Sequence, residues 1–172
     1  VRARRATADP TLRGNEVLQN SYRPGFTGKN TGIIITSAQD ATNEPGSDFV
    51  ISNGQRGAKF YFPYPEKVVA VDRNSNWETN LESNPNGQRG YGNYVDLEVT
   101  LPNGRIADVR IAHFDNVADI NVGDQLPADA FIGTQGRTGS TTGAHISADW
   151  YRPGTNTPDL EARDWFLNNY LR

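Results

Sequence analysis

Residues 94–113 constrain the fold more than any other stretch. From Tyr94 to Leu101 the chain alternates: Val95, Leu97, Val99 and Leu101 fall on one face, and Asp96, Glu98 and Thr100 on the other. That period of two belongs to a strand with one buried face. Pro102-Asn103-Gly104 supplies turn chemistry, and Ile106 to His113 resumes the pattern with Ala107, Val109, Ile111 and His113 on one parity. The pair predicts an antiparallel hairpin with His113 on a largely apolar face. An imidazole there is either a core histidine satisfied by local hydrogen bonds or a catalytic one.

The rest of the chain extends the β reading. Ile33-Ile34-Ile35, Phe49-Val50-Ile51, Lys59 to Phe62 and Val68 to Val71 are rich in β-branched and aromatic residues, and Asn53-Gly54 is a hairpin-type dipeptide between two of them. The 17 glycines and 10 prolines among 172 residues suit a turn-rich β protein better than a helical bundle. Asp72 to Gly90 reads as a long polar loop rimming whatever site exists. One helix is expected, over 158–171, with Thr157 as cap, Pro158 in the first turn, Asp159 and Glu161 near the positive helix end, and an apolar stripe from Leu160 to Leu171. The expected architecture is mainly β: a single antiparallel sheet or barrel-like domain over 31–172 with one C-terminal helix. Residues 1–30, with Arg2, Arg4, Arg5 and Arg13, form a basic, irregular N-terminal arm.

Composition removes several function classes. The absence of cysteine excludes a disulfide scaffold, a thiolate metal site and a cysteine nucleophile. With 17 basic against 20 acidic side chains the net charge is -3, which disfavours nucleic acid as a partner, and no apolar run is long enough for a membrane helix. The chain opens on Val1 and lacks methionine, from which a processed or trimmed start is expected.

Three local patterns carry candidate chemistry. Glu44-Pro45-Gly46-Ser47-Asp48 places two carboxylates on a turn entering the strand at Phe49, suited to holding a metal or moving protons, or to a plain surface turn. His113 is the second. The third is the Gly/Thr-rich loop from Gly133 to Gly143 and the strand after it, on which His145, Ser147 and Asp149 point one way and Ile146 and Ala148 the other. No Gly-Lys-Ser/Thr makes that loop a phosphate cradle, and no Gly-x-Ser-x-Gly elbow accompanies a triad. Two histidines in all forbid a three-imidazole metal site.

Taken in order, these segments resemble the lysostaphin/LytM-type zinc endopeptidases of bacterial cell walls. Ile35-Thr36-Ser37 followed by Glu44-Pro45-Gly46-Ser47-Asp48 is similar to that family's Ser and His-x-Gly-x-Asp, and Gly90-Tyr91-Gly92-Asn93-Tyr94-Val95 to its glycine-tyrosine strand opening. Ile111-Ala112-His113-Phe114 resembles its Tyr-Ala-His-Leu, and Thr142-Gly143-Ala144-His145-Ile146-Ser147 its Thr-Gly-Pro-His-Leu-His. The resemblance runs from Ile33 to Tyr151 and implies a grooved antiparallel β domain holding one zinc that activates water against a peptide bond of peptidoglycan.

The departures fall on the metal. The positions matching the family's zinc ligands are Glu44, Asp48 and Ser147, two of them substituted, while the positions matching its catalytic histidines, His113 and His145, are retained. A hydroxyl is a poor substitute for imidazole, and carboxylate in place of imidazole hardens a site toward oxygen-loving ions. Glu66 and Asp129 also stand where the family commonly has glycine. The resemblance therefore implies a catalytically degenerate peptidase-like domain without zinc, serving as a binding, scaffolding or regulatory module for peptidoglycan or an envelope or virion protein. The implied location is extracytoplasmic or virion-associated. The alternative is a metal-dependent endopeptidase whose site is rearranged around Glu44 and Asp48 with help from His145 or His113.

Overall fold

The computed structural model describes residues 29–38 and 45–171. Glu44 and residues 1–28 of the expected arm lie outside them. Eleven strands are present among the described residues: β1 Ile34–Ala38, β2 Gly46–Val50, β3 Lys59–Phe62, β4 Glu66–Asp72, β5 Glu78–Asn80, β6 Asn93–Thr100, β7 Ile106–Val117, β8 Gln125–Leu126, β9 Ala130–Gln135, β10 Gly139–Thr141 and β11 Ile146–Tyr151. Nine join one antiparallel sheet in the order β1-β2-β11-β7-β6-β4-β8, with β9 bridging β7 to β3. β5 and β10 form a separate parallel pair.

The hairpin expected from alternation is β6–β7, paired from Thr100↔Ile106 to Asn93↔Phe114. Val95, Leu97, Val99, Val109 and Ile111 are buried, as their parity requires. The apolar face is closed by an aromatic cluster in which Phe62 stacks on Phe166 and Phe166 also meets Phe49, Tyr64 and Trp150. Phe166 belongs to the C-terminal helix α1, Leu160–Phe166, which continues as a wider turn of π type over Leu167–Leu171. Burial of each such ring stabilises the domain by about 1.5–3 kcal/mol. The helix starts later than the sequence indicates: its N-cap is Asp159, whose carboxylate accepts from the Ala162 N–H, and not Thr157. Pro158 instead forms a bridge with Tyr151, so the chain is still extended there.

Three further expectations are corrected. Asn53-Gly54 makes no hairpin, because Ser52–Gly54 forms a tight left-handed turn and the flanking strands pair elsewhere, β2 with β1 and β11 and β3 with β9. Gln135, fully buried, fixes that turn by bonding both the N–H and the carbonyl of Ile51. The segment from Asp72 to Gly90 is not loop throughout, since β5 lies within it and docks beside β10. Asp48 sits inside β2 and not on a turn before it, since Gly46 already pairs with Asp149 and Asp48 with Ser147.

Candidate functional site

The site forms where one long strand changes partner. Along its second edge β7 pairs with β11 as far as Ala112 and with β9 from Phe114 onward. His113 is the residue between, with φ at +70° and a register shift opposite it in β6. Such a bulge adds one residue and reverses the alternation beyond it. Phe114 therefore takes the core position that parity gave to His113, and is fully buried. This corrects the placement of His113 on the apolar face: the bulge releases its ring into the gap where β9 and β11 diverge.

His145 enters the same gap from the other side, bridging Gly136 just before β11 begins. The two imidazole centroids are 4.7 Å apart. His113 Nδ1 lies 2.8 Å from the Thr138 carbonyl oxygen and His145 Nδ1 lies 2.9 Å from that of Gly143. A carbonyl only accepts, so each ring donates from a protonated Nδ1. Burial, followed by the neighbouring His145, lowers the His113 pKa to about 4, so His113 is neutral at physiological pH. Both rings of this histidine fork are thus oriented by the main chain.

The second half of the site is built from side chains. Asp48, Ser147 and Asp149 project from paired strands on one face, and His145 Nε2 lies 3.9 Å from Asp48 Oδ1. The expected polar triplet of β11 is present, with Ile146 and Ala148 buried on its other face. Ser147 Oγ donates to Asp149 Oδ1 at 3.4 Å, and the Tyr91 hydroxyl donates to Asp149 Oδ2 at 2.8 Å. Burial, with Asp48 adding repulsion, raises the Asp149 pKa against these bonds, and burial raises that of Tyr91 as well. Gly46 makes room for the carboxylate: a Cβ there would lie 1.9 Å from Asp149 Oδ1. Gly92 and Gly139, both at positive φ, let the 90–92 and 138–139 segments pass in contact and bring Tyr91 and Thr138 to the groove.

Tyr91 and Arg110 are the residues that sequence reasoning did not assign to a site, whereas Asp149 belongs to the β11 triplet that its parity with His145 and Ser147 already marked. Arg110 forks onto Asp96 at 2.7 and 2.8 Å with its guanidinium 3.9 Å from the Tyr94 ring centroid. Only its parity, opposite to Val109 and Ile111, marked it for the groove face.

A zinc ion of the kind the resemblance implies wants three imidazole or carboxylate donors around a tetrahedron. The matching positions supply Asp48, the Ser147 hydroxyl already turned to Asp149, and Glu44 outside the described residues. Among the described residues no three His, Cys, Asp or Glu side chains cluster tightly enough to hold a metal. The described donors therefore do not fit zinc.

No protein-family description and no curated protein matches the sequence. Solved structures do. A mutant catalytic domain of the prophage-encoded M23 protein EnpA from Enterococcus faecalis superimposes with a TM-score of 0.54 at 19% identity, over 74% of this chain and 86% of that one. The antimicrobial peptidase lysostaphin from Staphylococcus simulans gives 0.53 at 16% identity, over 81% of this chain and 51% of that one. Its catalytic domain alone gives 0.50 at 17%, over 77% and 88%. The chain thus spans about half of the longer lysostaphin chain. The antiparallel sheet and its C-terminal helix match the fold of these solved peptidases. This chain has the lysostaphin/LytM-type fold.

Proposed function

We propose that this domain is a catalytically degenerate peptidase-like module that binds peptidoglycan peptide in a scaffolding or regulatory role, outside the cytoplasm or on a virion that meets the wall. One observation carries the reading: the two histidines are held side by side, while the hydroxyl of Ser147, where the resemblance puts a zinc ligand, is spent on Asp149. A groove lined by tyrosines, an arginine and carboxylates retains the means to hold a peptide after the means to polarise its carbonyl have gone.

Sedimentation with purified sacculi, with zinc supplied, tests this. The expected result is retention on the sacculi, no release of new amino groups, and a melting temperature indifferent to EDTA. Steady zinc-dependent release of amino groups would overturn it in favour of the second reading, a metal-dependent endopeptidase with a rearranged site. That reading draws on the neutral His113 ring and on His145 lying 3.9 Å from Asp48.

A further inference from the structure

The groove face of the sheet continues past the fork to a separate cavity. Val69 on β4, Asp96 on β6, Asp108 and Arg110 on β7, Tyr151 on β11 and Asn156 beyond it enclose about 160 Å³. Sites for drug-sized ligands occupy about 300–1,000 Å³, so this one has room for an end group and not for a sugar chain. Arg110 lies three residues before His113 on β7, about 10 Å at ~3.3 Å per residue. An extended ligand along that strand reaches both.

Two polar atoms in this cavity, Arg110 Nη1 and Asp108 Oδ1, have no hydrogen-bond partner among the described residues. Arg110 uses Nε and Nη2 on Asp96, while its Nη1 bonds to no described residue. Asp108 accepts the Gly154 N–H at 2.7 Å through Oδ2 and has no Lys or Arg partner among the described residues. It stands directly opposite Glu98 in the β6–β7 register, and like charges so placed repel. Burial, with Glu98 and Asp96 contributing, raises its pKa although the Gly154 bond opposes the shift. A cation beside Asp108 would relieve all of this. Asp108 and Arg110 are two residues apart on one face of the strand, about 7 Å. That is a span which an ammonium and a carboxylate on one carbon bridge with a hydrogen bond at each end.

We propose that the cavity binds a zwitterionic α-amino-acid end group, with its carboxylate on Arg110 Nη1 and its ammonium on Asp108 Oδ1. The proposal rests on the reading of the domain as a binder of wall peptide and names the part of that peptide it selects. Because Arg110 is already locked by Asp96 and stacked on Tyr94, little side-chain freedom is lost on binding.

The test is a calorimetric titration of the full chain with three synthetic peptides, L-alanyl-γ-D-glutamyl-meso-diaminopimelate, the same peptide amidated at the free diaminopimelate end, and the lysine counterpart, which has the ammonium alone. The first is expected to bind at least tenfold more tightly than either other. Asp108→Asn, which keeps an acceptor for Gly154, is expected to remove that advantage while the circular dichroism spectrum stays unchanged. Equal affinity for the three, binding of the lysine peptide as tight as the first, or no binding of any overturns the proposal without recourse to the variant. Sacculus retention measured alongside separates the two readings. Retention without peptide preference leaves wall binding standing and sinks the cavity. Preference without retention breaks the wall-binding reading and supports the cavity chemistry.

Discussion

His113 and His145 are held by main-chain carbonyls, whereas Ser147 and Asp149, on the same groove, are held by one another and by Tyr91. The carbonyls of Thr138 and Gly143 come with the backbone path of the Gly/Thr loop, so the fork survives any substitution that leaves the path alone. The ligand corner depends on which side chains occupy it. There the Ser147 hydroxyl is taken up by the neighbouring Asp149 carboxylate.

The largest expected effect comes from rebuilding the corner. By the family pattern, Glu44→His with Ser147→His would restore the two imidazoles that complete a zinc site with Asp48. The double variant is expected to bind one zinc per chain by mass spectrometry, with either single variant far weaker, since two donors hold zinc poorly. If the double variant folds and takes up no zinc, the assignment of Glu44 and Ser147 to ligand positions is broken.

Thr138→Val attacks the fork instead. The Thr138 hydroxyl donates to the Phe114 carbonyl at 2.7 Å and accepts from Asn93 N–H at 3.0 Å, both buried. Losing them is expected to destabilise the domain by about 2–4 kcal/mol in urea denaturation, with displacement of the His113 ring signals in NMR. Gly46→Ala addresses the corner alone. Its Cβ forces the Asp149 carboxylate away from Tyr91 at about 1–3 kcal/mol, and the His113 signals are expected to stay in place. Equal disturbance of the histidines by both substitutions would mean that the two halves are not independently supported.

The smallest effect sharpens the contrast with a carboxyl that has neither kind of support. Glu66 is 5% exposed, neither of its oxygens has a hydrogen-bond partner, and burial with Asp129 nearby pushes its pKa up to about 10. The folded state therefore keeps a proton that the unfolded chain releases above about 4.5, and stability falls as pH rises between those values. Glu66→Gln removes that dependence. It is expected to stabilise the domain by about 1 kcal/mol at neutral pH, the gain growing toward pH 9 in parallel urea titrations. A gain independent of pH would show that Glu66 is already ionised in the folded domain.

Much of the scaffold was legible because strand alternation and turn residues act locally. The β6–β7 hairpin, the strands at Lys59–Phe62 and Ile146–Tyr151, and the apolar C-terminal segment each carry their signal within a dozen residues. The placement of His113 was not legible. A bulge is caused by what pairs on the far edge of the strand, and β9 and β11 pair with β7 from 16 or more positions away in sequence. Asn53-Gly54 failed for the same reason, since its turn is tied down by Gln135 and not by a hairpin partner.

The sequence by itself determined the donor chemistry of this protein: two imidazoles, no thiol, and a hydroxyl where the family pattern has a ligand. It also determined which faces of the strands are apolar, because a two-residue period is a property of the chain alone. Only the tertiary structure decided that His113 leaves the core face to meet His145, that Tyr91 and Ser147 both turn to Asp149, and that Asp108 and Arg110 share a cavity. Those outcomes depend on sheet order and register, which arise from contacts between distant segments and have no local code.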